Sequence, residues 1–370
     1  MRSEVLKEIQ RLCEEICWEN RLSGSKGNKK VRKLIKHYLR ENGIPFFSER
    51  FEVEKIIPVK ATLKKNGTFY EALPLLGSLW GETYGQLIVV KDWEKVKDLE
   101  LEGKIVATPV GKTRDEEKAK ILKEKKALAL ITYLEELNAH FSGTLGDTKF
   151  LAVNVKREVI EELKNEKVIL QVRTERRRIE CENVVVEFGR GPFVYLIAHY
   201  DTKPFVYGAI DNGVGVAFLL VMVKELVKYE NLPFRIRVLF SDAEELGLEG
   251  SKYHTTKLKN TVYAINVDSI GWKNPAVLYE DYYGENGKRI NEKFYKHLLD
   301  MKIDIPFVAS KTGVSDHVPF KEKGVETLFL SSNPFTIRHT ELDDYYAIDW
   351  EVVGMWYEVL SYFVRRLHRL

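Results

Sequence analysis

FVYLIAHYD (193–201), DNGVGVAFLLVMVKEL (211–226), FRIRVLFSD (234–242) and VYAINVDSIG (262–271) follow one another as strand, long helix, strand and strand. The strands are near-continuous apolar runs with little alternation, which is the pattern of strands buried on both faces of a parallel sheet. TLFLSS (327–332) supplies a further buried strand, and Trp350 to Leu370 reads as an amphipathic closing helix. The expected fold class is therefore α/β, with a mostly parallel central sheet flanked by helices. In such sheets ligands bind beyond the carboxyl ends of the strands.

Upstream of this stretch the pattern changes twice. Residues 2–19 mix apolar and charged positions at helical spacing, and a second amphipathic run from Lys29 to Glu41 stops at Asn42-Gly43, a C-cap signature. From Phe51 to about Arg173 the chain reads as short β-rich segments such as FEVEKIIPVKATL, QLIVVK and KIVATPV, with one charged helix from Asp115 to Lys126 leading into ALALITY. This describes an inserted α+β domain over 51–173, with a main domain made of 1–50 and 174–370. The Arg-rich TERRRIE (174–180) reads as a solvated crossing back into the main domain, or as an electrostatic hinge.

With 44% apolar residues and 370 residues in all, the chain is long enough for one large domain or two smaller ones. The net charge of +3 gives no strong global field for nucleic acid, anionic membrane or acidic substrate, so a small molecule or peptide is the expected partner. A homo-oligomer is compatible with the composition. The three cysteines, Cys13, Cys17 and Cys181, form no disulfide framework or CxxC clip, and no stretch has the length of a membrane span. The expected location is cytoplasmic.

The unusual polar residues of the second half fall at strand ends. His199 and Asp201 close one strand, Asp211 precedes a helix, Glu244 and Glu245 follow another strand, Asp268 ends a third, and His339 follows TLFLSS after a loop. Each has an ordinary alternative alone: Asp211 as a helix N-cap, Glu244 and Glu245 as first-turn acids, Asp268 as a turn residue, His339 as a surface histidine. Together they put imidazoles and carboxylates in one crevice, a donor mixture that suits zinc or a similar divalent ion. Asp201, two residues from His199 on an extended strand, is placed to orient the imidazole. The adjacent Glu244 and Glu245 point in different directions, so one can bind metal while the other acts as a base.

Five segments, IAHYDT, GAIDNGVG, SDAEELGLEGS, INVDSIG and the late pair SDHVPF with RHTELDD, resemble the co-catalytic di-zinc aminopeptidase family that includes bacterial leucyl aminopeptidases, glutamate carboxypeptidase and the glutaminyl cyclases. GSKGNKKVRKLIKHYLREN is similar to that family's first helix, and EGKIVATPVGK with its following helix is similar to a protease-associated domain, which would partly cover the cleft. The resemblance implies two divalent ions per chain, zinc first and cobalt or manganese as alternatives. In it His199 and Asp268 hold one ion, Glu245 and His339 the other, and Asp211 bridges them. Glu244 falls at the general base, Asp201 behind the ligands, and Asp316 and His317 on the substrate pocket wall. Many members carry Tyr before the last His ligand, whereas Arg338 stands here; it could polarise the carbonyl, bind a substrate carboxylate or point to solvent. The implied activity is removal of the amino-terminal residue from peptides with a free N-terminus. Alternatives on the same scaffold are a glutaminyl-peptide cyclase, a carboxypeptidase and a non-enzymatic binding protein.

Overall fold

A computed structural model describes residues 2–229, 232, 234–279, 288–310 and 313–367. Among these, thirteen strands join in one sheet. In chain order they are β1 Phe46–Lys65, β2 Thr68–Pro74, β3 Gly81–Val89, β4 Lys104–Pro109, β5 Ala129–Tyr133, β6 Ala152–Asn154, β7 Lys167–Gly189, β8 Phe193–His199, β9 Arg235–Ser241, β10 Thr261–Val267, β11 Pro275–Tyr279, β12 Phe307–Ala309 and β13 Glu326–Ser332.

The expected α/β architecture is present in the second half. β9, β8, β10 and β13 lie side by side and parallel, with β7 antiparallel on one flank and β11 antiparallel on the other. Every residue of β8 is buried, as its unbroken apolar run requires for a strand covered on both faces. One face is covered by α1 (Arg2–Ile16), α2 (Lys26–Glu41), α5 (Val214–Leu226), α7 (Lys288–Met301) and α9 (Trp350–Arg366), whose apolar residues share a core with the sheet. α5 is buried almost all round, in keeping with VGVAFLLVMV, because α1 and α9 close over it. α6 (Glu249–Thr255) and α8 (His317–Glu322) pack together on the opposite face, where Phe320 joins a smaller core with Tyr195 and Ile197. The closing helix expected to reach Leu370 is described as far as Arg366; its last three positions lie outside the described residues.

Local signals position the helices that support the site. Ser25 caps α2 by accepting from the Asn28 amide at 3.1 Å, and Gly43 takes the positive φ of 64° that ends it. Asp349 caps α9 by accepting from Glu351 and Val352.

The first half closes on itself. β1 pairs with both β2 and β7, and β7 pairs with β3, so β1-β2-β6-β5-β4-β3-β7 forms a ring around a separate apolar core. α3 (Asp115–Glu124) and α4 (Arg157–Leu163) belong to this half. β1 and β7 are long enough to pass through positions 50/51 and 173/174, and the end of β7 carries the pairing on to β9. TERRRIE is thus part of a paired strand whose Arg176 and Arg178 meet Glu54 and Glu52 across the ladder. Among the described residues no helix is long and apolar enough to cross a membrane.

Candidate metal centre

Because β8, β9, β10 and β13 are parallel neighbours, their carboxyl ends deliver His199, the Asp242–Glu245 turn, Asp268 and the loop bearing His339 to one edge. Asp211 arrives from the segment before α5, where its φ of −112° and ψ of 87° are non-helical and its side chain caps nothing. It faces the histidines instead. One carboxylate oxygen lies 3.1 Å from His199 Nε2 and the other 3.2 Å from His339 Nε2. His199 Nε2 is 3.6 Å from Asp268, and His339 Nε2 is 3.4 Å from Glu245. Two triads result, His199–Asp211–Asp268 and Asp211–Glu245–His339, each with donor atoms within 4.8 Å of one another, and they share Asp211.

These residues suit divalent cations on their own chemistry. His199 Nε2 is fully buried and makes no hydrogen bond of adequate geometry, although carboxylates surround it. Four buried carboxylates, Asp211, Glu244, Glu245 and Asp268, crowd one crevice, a charge density that requires compensation. Burial raises the Glu244 carboxyl well above its ordinary range; His199 opposes this, while the charges of Glu245, Asp316 and Asp268 add to it. Burial pushes the Glu245 carboxyl the same way, yet Lys203 and His339 overcome it and hold Glu245 down at about 2. The two neighbouring carboxyls are thereby pushed in opposite directions. Both sit in the turn ahead of α6, not in a helix.

The supporting groups come from distant parts of the chain. Asp201 accepts from the amides of Glu244 and Glu245, both at 3.1 Å, so its carboxylate fixes that turn. Its own main-chain oxygen is the nearer partner of His199 Nδ1, at 3.2 Å against 3.5 Å for the carboxylate. Asp343 accepts from the amides of Ile210 at 2.7 Å and Asp211 at 3.1 Å and locks the Asp211 loop. Burial and the charge of Asp211 push the Asp343 carboxyl up to about 7. Buried Arg21 donates to the carbonyls of Tyr200, Tyr207 and Gly208, stapling the chain that runs from β8 to Asp211. Ser315 donates to Asp268 at 2.6 Å. Buried Lys203 contacts the Glu245 carboxylate at 3.1 Å and donates to the Glu245 carbonyl and the Thr144 hydroxyl, both at 3.0 Å. Sequence reading missed Arg21, Lys203, Ser315 and Asp343, although the last three lie within the motif segments or one residue past them.

Glycine is required at Gly215, where a Cβ would stand 2.1 Å from Asn212 Oδ1 and 2.9 Å from the Val267 carbonyl. That close approach lets Asn212 donate to Val267 at 2.8 Å and tie the Asp211 loop to the strand ending at Asp268.

Asp211, Glu244, Glu245, Asp268 and His339 open onto a cleft of about 780 Å³ whose wall also includes Arg338. Asp316 and His317, expected on the pocket wall, lie behind it. Asp316 is fully buried and accepts from Ser241, while the His317 ring lies tilted 4.5 Å from the Phe329 ring and is pushed down to about 3 by burial and Lys321. Their place at the start of the short α8, packed between α6 and the sheet, turns them inward. Residues of the strand ring complete the site from the other side: Ser142 donates its amide to the His339 carbonyl at 2.8 Å, and the Phe141 ring lies 5.9 Å from the His339 ring.

Comparison with known proteins finds relatives of the same fold. Residues 183–364 match the profile of Peptidase family M28. The chain is 26% identical over 347 residues to aminopeptidase YwaD of Bacillus subtilis, covering 85% of this chain and 73% of that protein. Among solved structures, a zinc aminopeptidase from Bacillus subtilis aligns over 97% of this chain and 93% of its own with a TM-score of 0.80 at 24% identity. A Porphyromonas gingivalis glutaminyl cyclase aligns over 99% and 98% with a TM-score of 0.56 at 14% identity.

Proposed function

We propose, on the match of residues 183–364 to the profile of Peptidase family M28, that the chain is a zinc-dependent aminopeptidase that removes the first residue of peptides with a free amino terminus. The observation that carries this reading is the pair of donor triads sharing Asp211, with Glu244 on the wall of the same cleft. In this reading His199 and Asp268 hold one divalent ion, Glu245 and His339 the second, and Asp211 bridges them. Zinc fits the mixed imidazole and carboxylate donors, and the 26% identical relative bears the name aminopeptidase. When bound, such ions supply Lewis acidity toward a water and toward the scissile carbonyl.

The chain's own residues carry the proton. Glu244, ionised when cations offset the neighbouring carboxylates, takes the proton of the attacking water and delivers it to the leaving amine. Asp201 keeps this possible by fixing the amides of Glu244 and Glu245, so that one side chain faces the ligands and the other the cleft. Residues 51–173 act as an inserted unit that walls the cleft and limits the substrate to a chain end.

The test is hydrolysis of a peptide panel with free, acetylated and amidated ends, before and after chelation. Chelator-sensitive release of the first residue only from unblocked peptides supports the proposal. Cutting of amino-blocked peptides at the carboxyl end would make the chain a carboxypeptidase, and ammonia release with ring closure of glutaminyl peptides would make it a cyclase.

A further inference from the structure

The cleft wall carries seven cations and seven acids, and four of the acids, Asp211, Glu244, Glu245 and Asp268, are those of the metal centre. Lys55 is paired with Glu249 at 2.8 Å, Arg176 with Glu54 at 2.9 Å, and Lys203 is buried against Glu245. Arg114, Lys149, Lys252 and Arg338 line the same cleft, are exposed, and have no ion-pair partner among the described residues. Outside the metal centre, Asp147 is the one wall acid without an ion pair among the described residues. The four come from four separate places: the start of α3, the loop before β6, α6 and the loop of His339. Outside the metal centre, the unpaired cations of the wall therefore outnumber its unpaired acids, where the rest of a substrate would lie.

Resting on the aminopeptidase reading, we propose that Arg114, Lys149, Lys252 and Arg338 make the cleft selective for peptides carrying carboxylates beyond the first peptide bond. With the first residue at the metal ligands, the rest of a short peptide extends along the remaining cleft, whose volume of about 780 Å³ exceeds what one residue fills. The carboxylates are acidic side chains at the second and third positions, or the terminal carboxylate of a short peptide. Arg338, one residue from His339, is the cation nearest in sequence to the ligands; Arg114 and Lys149 belong to the strand-ring half, which thereby contributes to choice of substrate as well as to the wall.

The experiment uses peptides whose first peptide bond is reduced, so that they bind without being cut: Leu-Glu-Glu and Leu-Gln-Gln analogues, each with a free and an amidated carboxyl end, titrated calorimetrically into the metal-loaded protein. Exposed charge pairs of ordinary strength predict that the Glu analogue binds about tenfold tighter at low salt, and that the ratio shrinks toward one at high salt. Persistence of the preference in the amidated pair assigns it to the side chains; loss of affinity on amidation in the Gln series assigns a share to the terminal carboxylate. The Arg114→Gln/Lys149→Gln double variant, both positions exposed and outside the cores, should lower the ratio to about threefold, and Arg114→Lys/Lys149→Arg should keep it, which a merely structural effect would not do. Equal affinities for all four analogues in the wild-type protein overturn the proposal. A persistent affinity ratio in a protein that cuts no free-amino peptide would count against the aminopeptidase reading and leave carboxylate selection standing.

Discussion

Replacing Lys203 with Met should destabilise the chelated protein more than the metal-loaded one. The Lys203 ammonium is buried, contacts the Glu245 carboxylate at 3.1 Å, and donates to two neutral acceptors at 3.0 Å. In the chelated protein, its removal leaves Glu245 ionised with only His339 to offset it, and breaking a buried pair in this way costs about 3 kcal/mol. In the loaded protein a divalent ion at Glu245 supplies the missing charge, so the remaining loss is that of two neutral acceptors, about 1–2 kcal/mol. Urea denaturation of wild type and variant, with and without chelator, gives both differences from the shift in midpoint at constant slope. The reasoning predicts a gap of about 1–2 kcal/mol between the two conditions. Equal losses, or a larger loss in the loaded protein, would refute the assignment of Glu245 to a metal.

Three further outcomes follow from the geometry. Asp211→Ala should remove both ions, since one carboxylate serves both triads; elemental analysis that still finds two ions would refute the bridging role. Gly215→Ala should cost about 2 kcal/mol or more, because its Cβ would meet Asn212 and the Val267 carbonyl and displace the Asp211 loop; an unchanged thermal midpoint and metal content would show that the loop does not depend on that approach. Glu182 is held below the usual carboxylate range, with Lys36, Ser48 and Arg32 overcoming the opposing effect of burial. A depressed carboxylate contributes stability above its unfolded pKa and loses it as pH falls through the folded one. Glu182→Gln should therefore be about 2 kcal/mol less stable than wild type at neutral pH, with the difference shrinking below about pH 4. A constant difference across that range would contradict the ion pairing.

Of the residues that sequence reading singled out as ligands, His199 ends an apolar strand, Asp268 follows one directly, and Glu245 lies in the turn after a third, so their placement is legible from hydropathy; Asp211 and His339 lie in the segments before α5 and after β13. The α/β class was legible for the same reason: unbroken runs such as FVYLIAH leave no polar face, and a sheet buried on both sides is the consequence. What supports the ligands was harder to read. Arg21 reaches carbonyls nearly 190 positions away, and Asp343 locks amides more than 130 positions earlier. Neither contact has a local signature. The strand ring was hidden for a related reason: FEVEKIIPVKATL reads as a β segment, but nothing local to it or to TERRRIE says that the two lie in strands paired with each other over most of their length. Asp316 and His317 lie in a motif but behind the cleft, because motif membership fixes sequence position and not the direction a short helix turns its side chains.

The central claim is best tested by measuring metal content and turnover on one preparation of the Glu244→Gln variant. That substitution keeps the shape of the side chain and deletes its capacity to take a proton. The account predicts two zinc-like ions per chain, as in the wild type, with release of the first residue from unblocked peptides reduced by orders of magnitude. Turnover within a few fold of wild type at full metal content would contradict it, and so would a wild-type preparation that hydrolyses the same peptides with no metal bound.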